Sequence, residues 1–509
     1  MSRAPNFPQR VLLHSAPNGT SSSRFELFGV AATRQIETVH AARLPPHTLM
    51  QRAGLSVARL ALALHPHAHT FWIACGPGNN GGDGLEAAGH LRQWGKAVEL
   101  TWLGSPERCS ADTLASFNRA RARGVTVSRE PPAQFDAAID ALLGIGVADA
   151  TNPTARGIAG HMADWTALMH RHAAPVLAID LPSGLHADTG QADAHGVRAQ
   201  ATLSLLTLKP GTFTAQGRDC AGDIWLDPLG CDPSLQADVQ ATARLSSAPL
   251  AATRATAQHA SHKGVFGDVV VIGGAPGMTG AALLAASAAL HAGAGRVLVG
   301  LLDTAAITVD NQQPELMFRP VESLDLSRSA AVCGCGGGDA VRAVLPKVLA
   351  TASIAVLDAD ALNAIAVDEN LQRQLAQRAA RAKPSVLTPH PLEAARLLGC
   401  KTAEVQANRL EAAHRLAVRY ACCVVLKGSG SVVAMPGQIP HINPSGNARL
   451  ATAGTGDVLA GLIGASLAGL QGHDAVFQAV CDAVYRHGDA ANQWPASVPL
   501  AAAALARRL

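Results

Sequence analysis

The sequence predicts an α/β protein made of two parallel-sheet domains. Three observations point there. Short apolar runs alternate with segments of helical spacing along most of the chain. Glycine-rich loops follow several of those runs, where a strand turns into a helix. At 509 residues the chain is also too long for one ordinary core.

The elements are expected in the following order. Residues 1–25 carry arginine and serine without an apolar signal-like stretch and read as a disordered extension. Thr33–Arg43 and Leu49–Leu64 have apolar spacing near 3.6 and read as helices. Strand-like runs follow at Thr70–Ala74, Ala97–Leu103, Gly124–Val127, Ala137–Leu143, Val176–Ile179 and Ala201–Leu206. Helical stretches separate them, among them Leu85–Trp94. Periodicity is lost in an Ala-, Ser-, Thr- and Pro-rich stretch over 231–253, which reads as a linker between domains at 26–230 and 254–509. The second series has strand-like runs at Asp268–Ile272, Arg296–Leu301, Ala331–Cys333, Ile354–Leu357, Ser385–Leu387 and Cys423–Leu426.

Composition narrows the function. The chain has 41 basic and 38 acidic residues, a net charge of +3, so it offers no nucleic-acid or membrane surface. No apolar run is long enough for a transmembrane helix. The ten cysteines form no C-x-x-C pair, and Cys333/Cys335 and Cys422/Cys423 are poorly spaced for zinc. They read as buried free thiols in a reducing cytoplasm.

Residues 74–85, Ala-Cys-Gly-Pro-Gly-Asn-Asn-Gly-Gly-Asp-Gly-Leu, are the most informative stretch. Five glycines in the nine positions 76–84 strip side chains from a strand-to-helix turn, so backbone N–H groups can approach a phosphate. Gly76, Gly78 and Gly81 form G-x-G-x-x-G, a weak signal alone. A capped tight turn would explain the glycines but not Asn79, Asn80 and Asp83.

The loop resembles the G-x-G-N-N-G-G-D-G signature of the NAD(P)H-hydrate epimerase family. Asp140–Gly146, Ala178–Gly190 with its Asp-Leu-Pro-Ser-Gly core, and Leu208–Gly211 are similar to further motifs of that family, in its order. The resemblance implies a Rossmann-like domain. It also implies substrate contacts at Asn79, Asn80, Gly81, Gly82, Asp83 and Asp180, and along Gly144, Ile145, Gly146, Val147, Ala148, Asp149 and Ala150. A potassium site at Asn80, Asp140 and Ser183 is implied as well. Inverting C6 of a hydrated nicotinamide needs proton transfer and a stabilised charge. Asp180 is the preferred acid/base, with Lys209 as supporting charge. A strand-end cap for Asp180 and a solvated surface position for Lys209 are the structural alternatives. Gln200 and Glu86 depart from the family pattern.

In the second half, the loop Gly273–Ala281, Leu357-Asp-Ala-Asp-Ala-Leu-Asn363, Thr388–Glu393, Lys427-Gly428, Asn443–Asn447 and Thr452–Gly461 resemble the ADP-dependent NAD(P)H-hydrate dehydratase family. That resemblance implies a ribokinase-like α/β fold, with ADP as co-substrate and Mg2+. Gly454-Thr-Gly456 would offer N–H groups at a helix N-terminus, and Asp457 would accept a proton from the substrate hydroxyl. The family contacts carry over to Ala281, Gly336, His390 and Asp457 for the hydrated nucleotide. For the adenine nucleotide they fall on Lys427, Gly428, Ser429, Gly430, Ser431, Gly454, Thr455 and Gly456. A helix cap for Asp457 and a core or loop histidine for His390 are the alternatives. Cys333–Gly338 departs from the family's G-P-G-L-G, and Met278 stands where tyrosine is frequent.

The implied protein is a bifunctional repair enzyme, a homo-oligomer that epimerises hydrated NADH and NADPH (NADHX and NADPHX) and dehydrates the S form with ADP. One rival is a ribokinase-like small-molecule kinase with a non-catalytic nucleotide-binding N-terminal half. Another is a dehydrogenase using Gly76–Gly81 with Glu99 as the ribose acid. The absence of G-x-x-x-x-G-K-[ST] disfavours a P-loop kinase.

Overall fold

The computed structural model describes residues 7–11, 26–147, 160–231, 239–249, 263–305, 307–470 and 475–509. The chain divides into two compact units. The first comprises Met1–Leu12 with Phe25–Ala243, and the second includes Arg244–Leu509.

In the first unit the sheet runs Gln9–Arg10, Asp223–Asp227, Ala201–Leu205, Val176–Ile179, Ala137–Ala141, Thr70–Cys75, Ala97–Trp102, Val127–Ser128. All neighbours are parallel except the first pair. The central strands are buried along their whole length because both faces are covered, as parallel sheets require. On one face Phe71, Ile73, Ile139 and Leu203 pack against Val57 and Ala61 of the helix Thr48–Leu64 and Leu85 and Leu91 of Asn79–Gln93. On the other face Trp72 meets Phe135 and Trp165, with ring centroids 5.0 and 6.4 Å away.

The second unit's sheet runs Met317–Phe318, Arg296–Leu301, Asp268–Gly273, Ser329–Cys333, Ile354–Leu357, Ser385–Leu387, Cys423–Leu426, Val432–Ala434, His441–Ile442, Ala243–Leu245. It is parallel from Met317 through Cys423–Leu426, and Val432–Ala434 is antiparallel to both of its neighbours. Alanine-rich helices cover one face: Thr279–His291 lies so close to Thr455–Leu467 that a Cβ at Gly461 would stand 2.0 Å from the Ala285 carbonyl oxygen. The α/β class with a mainly parallel sheet in each half is as expected.

Several local expectations need correction. Gln9 and Arg10, within the stretch read as disordered, pair with Leu226 and Trp225, because the outer edge of Asp223–Asp227 offers unmet backbone groups. Arg244 and Leu245, within the stretch read as linker, pair with His441 and Ile442. The helix predicted from Leu85 begins at Asn79, so the polar residues of the loop occupy its first turns. Val127–Ser128 replaces the predicted strand Gly124–Val127, since Gly124 sits at φ +79 after the helix Ala111–Ala122.

Two candidate active centres at strand ends

Asn79–Asp83, Gly144–Gly146 and Asp180 in the first unit, and Gly336, His390 and Lys427 in the second, follow parallel strands at their C-terminal ends, where open α/β sheets bind ligands. In the first unit a cleft of about 710 Å³ is lined by Asn79, Asn80, Asp83, Leu143–Gly146, Asp180 and Lys209. The helix Asn79–Gln93 opens toward it with Gly78 as an extended N-cap that contributes no side-chain bond. The three fingerprint glycines differ in what they do. A Cβ at Gly76 would meet the Leu142 carbonyl oxygen at 1.8 Å, and one at Gly81 the Gly76 carbonyl oxygen at 2.0 Å, whereas one at Gly78 meets nothing within 4 Å. Gly76 and Gly81 thus serve close packing, and Gly78 leaves open space beside the helix N-terminus.

The polar residues are held individually. Asn79 Oδ1 accepts from Ser110 Oγ at 2.8 Å, and Asn80 Nδ2 donates to the Leu143 carbonyl at 3.0 Å. Asp140 is fully buried and accepts from Ser183 Oγ at 2.6 Å, Ser183 N at 2.7 Å and Leu142 N at 3.2 Å. Burial raises its pKa to about 6 against those hydrogen bonds. Leu143 N donates in turn to Ser183 Oγ at 2.8 Å. Asn80, Asp140, Ser183 and the Leu143 carbonyl therefore form one connected oxygen-rich group.

Asp180 has φ +66 in the turn straight after the strand Val176–Ile179; Asp and Asn tolerate this region better than most residues. Its Oδ1 accepts from Leu205 N at 3.1 Å and from the Lys209 ammonium. Lys209 has no solvent exposure and also donates to the Leu205 carbonyl at 2.7 Å, which removes the surface reading. Asp83 is raised well above the usual carboxylate range, by burial first and by the Asp180 charge second. Glu37 lines the same cleft and is raised for the same two reasons. The two departures have structural explanations. Glu86 is buried and held by Arg119 at 2.7 Å and Arg123 at 3.4 Å. Gln200 accepts from Val176 N at the start of a strand. Ala148, Asp149 and Ala150 lie outside the described residues.

In the second unit, Asp457 occupies the first turn of Thr455–Leu467, behind Gly454 at φ +88. Burial raises its pKa to about 6, reinforced by the charge of Asp358. Asp358 ends the strand Ile354–Leu357. Its Oδ1 accepts from Lys427 Nζ at 2.6 Å and Thr388 Oγ1 at 2.8 Å. Lys427 Nζ stands 3.4 Å from where a Gly456 Cβ would lie, so any side chain there would crowd the ammonium. Arg409 is buried and donates to the Leu426 and Lys427 carbonyls at 3.2 and 3.1 Å, under Gly428 at φ +136. Ser431 Oγ donates to the Gly428 carbonyl at 3.1 Å. Gly336 at φ +59 packs against Ala281, whose Cβ would be 2.9 Å from an added Cβ. His390 is the N-cap of Pro391–Leu398, its Nδ1 accepting from Leu392 N and Glu393 N at 3.1 and 3.3 Å.

Four residues of this centre were given no role from sequence: Asp358 and Cys335 next to Asp457, Thr388 on Asp358, and His487 on the Thr455 carbonyl. Cys335 is fully buried and makes a side-chain hydrogen bond with Asp457. His487 is buried, kept neutral with its pKa lowered to about 4, and paired through Nε2 with the Thr455 carbonyl at 3.0 Å. A strand-end aspartate in Leu357–Asn363 was the available signal for Asp358. For the dehydrogenase rival, Glu99 is exposed and pairs with Trp72, at the strand end away from the glycine loop.

An α/β chain with an acid at the strand ends of each half has the layout of a two-centre enzyme, and comparison with known proteins identifies which one. The sequence pattern of the NAD(P)H-hydrate dehydratase family matches residues 269–508, and that of the YjeF-related protein N-terminus matches 46–211. A bifunctional NAD(P)H-hydrate repair enzyme of Escherichia coli K12 is 34% identical over 462 residues, covering 88% of this chain and 85% of its own. The one of Coxiella burnetii is 34% identical over 437 residues, covering 83% and 86%. An ADP/ATP-dependent NAD(P)H-hydrate dehydratase of Bacillus subtilis, crystallised with ATP and Mg2+, is 31% identical with a TM-score of 0.40, covering 49% of this chain and 90% of its own. The chain belongs to the bifunctional NAD(P)H-hydrate repair enzymes. Among the described residues no helix is long and apolar enough to cross a membrane.

Proposed function

We propose that the first unit interconverts the R and S forms of NADHX and NADPHX, and that the second dehydrates the S form with ADP and Mg2+. The observation that carries this reading is an acid close to a lysine in each half: Asp180 paired with the buried Lys209, and Asp457 beside the Asp358–Lys427 pair, whose lysine is half-buried.

In the first unit Asp180 moves the proton as the C6 hydroxyl leaves and returns, and Lys209 fixes the carboxylate's position. Asn79–Asp83 and Gly144–Val147 hold the hydrated nucleotide. Asn80, Asp140, Ser183 and the Leu143 carbonyl present oxygen donors, a set that suits a hard monovalent cation. Bound potassium would supply positive charge there and tie three loops together.

In the second unit Asp457 takes the proton of the substrate hydroxyl as it is phosphorylated. The N–H groups of Gly454, Thr455 and Gly456 stabilise the transferring phosphate. Phosphate then leaves more readily than hydroxide. Lys427–Ser431 hold the adenine nucleotide, while Ala281, Gly336 and His390 contact the hydrated ring or its nucleotide. The protein works as a homo-oligomer in the cytoplasm. The test is recovery of NADH from each separate C6 epimer, with and without ADP. The S form should need only ADP, and the R form both centres. Recovery from either epimer without ADP would overturn the reading.

A further inference from the structure

Cys335 and Asp358 follow the strands Ser329–Cys333 and Ile354–Leu357, and Asp457 lies in the first turn of the helix Thr455–Leu467, yet one ligand atom from each lies within 4.8 Å of the others. The thiol is fully buried and Asp358 nearly so. Tetrahedral coordination with bonds of about 2.0–2.3 Å holds ligand atoms roughly 3.5 Å apart. Closing from 4.8 Å needs shifts of ~1 Å, within side-chain adjustment. Lys427 already occupies Asp358 Oδ1 at 2.6 Å, which leaves Oδ2, the oxygen on the Gly456 side, for another partner.

We propose that Cys335, Asp358 and Asp457 bind a borderline-soft divalent cation of the Zn2+ type, and that its binding shuts the second centre. Charge favours this ion. Thiolate and two carboxylates carry three negative charges, Lys427 returns one positive, and a dication neutralises the remainder. The thiol gives up its proton to solvent as the sulfur–metal bond forms, and no electron is transferred. Sulfur also sets the preference, because Mg2+ demands an octahedral oxygen shell and retains its water. A cation held here takes the Asp457 oxygens away from a substrate hydroxyl.

The binding does not depend on the proposed reaction, whereas the inhibition does. The test uses the full chain, Co2+ as a spectroscopic probe, and Zn2+ or Mg2+ as competitors. Co2+ should give a thiolate-to-cobalt charge-transfer band that Zn2+ displaces at equimolar addition and Mg2+ does not. The band should persist when Cys109 and Cys400, the two partly exposed thiols, are replaced by alanine. It should vanish in Cys335→Ala. Cys335→Ser, which keeps the volume, should bind Zn2+ more weakly by at least the roughly 10–100-fold that loss of an outer partner costs. A band that survives both Cys335 variants, or equal competition by Mg2+, overturns the site. Zn2+ binding that leaves dehydration untouched upholds the site and overturns the role given to Asp457.

Discussion

Lys209 buries its ammonium against Asp180, with no solvent on the lysine and with the Leu205 carbonyl as its second acceptor at 2.7 Å. Two charges taken out of water together are held by each other, so removing one leaves the other uncompensated.

Asp180→Asn should therefore do two things. Epimer interconversion, followed by chromatography, should be abolished, and the first unit should lose about 3–5 kcal/mol of stability. The double variant Asp180→Asn with Lys209→Met should regain most of that stability in denaturant unfolding while staying inactive. Asparagine tolerates the φ +66 backbone, so strain does not confuse the result. Interconversion at the normal rate in Asp180→Asn would hand the proton transfer to Lys209.

Asp457→Asn keeps the shape of the helix start and removes the base. Dehydration should slow by roughly 10²–10⁴-fold. Nucleotide affinity, read by calorimetry, should barely change, because the glycine N–H groups remain. Turnover near wild type would remove Asp457 from the chemistry.

The pH profile of dehydration follows from the same residue. Burial holds the Asp457 pKa at about 6, and a base must be ionised to act. Turnover should be flat above that value and fall about tenfold per pH unit below it. Asp457→Asn should lack this acid limb.

Asp140→Ala deletes the carboxylate that organises Ser183 and the Leu143 loop. Epimerisation should lose its response when potassium is exchanged for a bulky organic cation, and substrate KM should rise. Dehydration by the same protein should be unaffected. A retained potassium response would place the cation elsewhere.

Gly76→Ala puts a Cβ 1.8 Å from the Leu142 carbonyl oxygen, against backbone that cannot swing aside. Overpacking of this kind should cost about 1–3 kcal/mol, read as a lowered unfolding midpoint of the first unit. Gly78→Ala, facing open space, should leave the midpoint within error and lower epimerase substrate affinity instead.

What could be read from sequence was local. Asn79–Asp83, Asp140 and Asp180 each follow an apolar run, and a strand end announces itself over a few residues; Asp457 was marked instead by the glycines just before it. The expected late helix start at Leu85 failed because Gly81, Gly82 and Gly84 are poor helix formers in isolation, yet each is buried where a side chain would clash. His390 could not be told from a loop histidine, because its capping role depends on backbone direction. The Asp358–Lys427 pair joins residues 69 apart, and Glu86 meets Arg119 on the next helix, so neither contact has a local signature. Cys335 looked inert in Cys333–Gly338 because its meaning comes from Asp457 beyond another hundred residues of chain.

The close approach of Gly461 to the Ala285 carbonyl oxygen fixes how near the two helices lie. The helix that carries the Gly454–Gly456 loop meets main chain directly at this point, while Val458, Leu462 and Ile463 bury their side chains along it. A methyl group added at Gly461 would push this helix away from Thr279–His291. The phosphate-facing amides and Asp457 ride on that one helix and would shift together, so the missing side chain one turn further along sets where both stand.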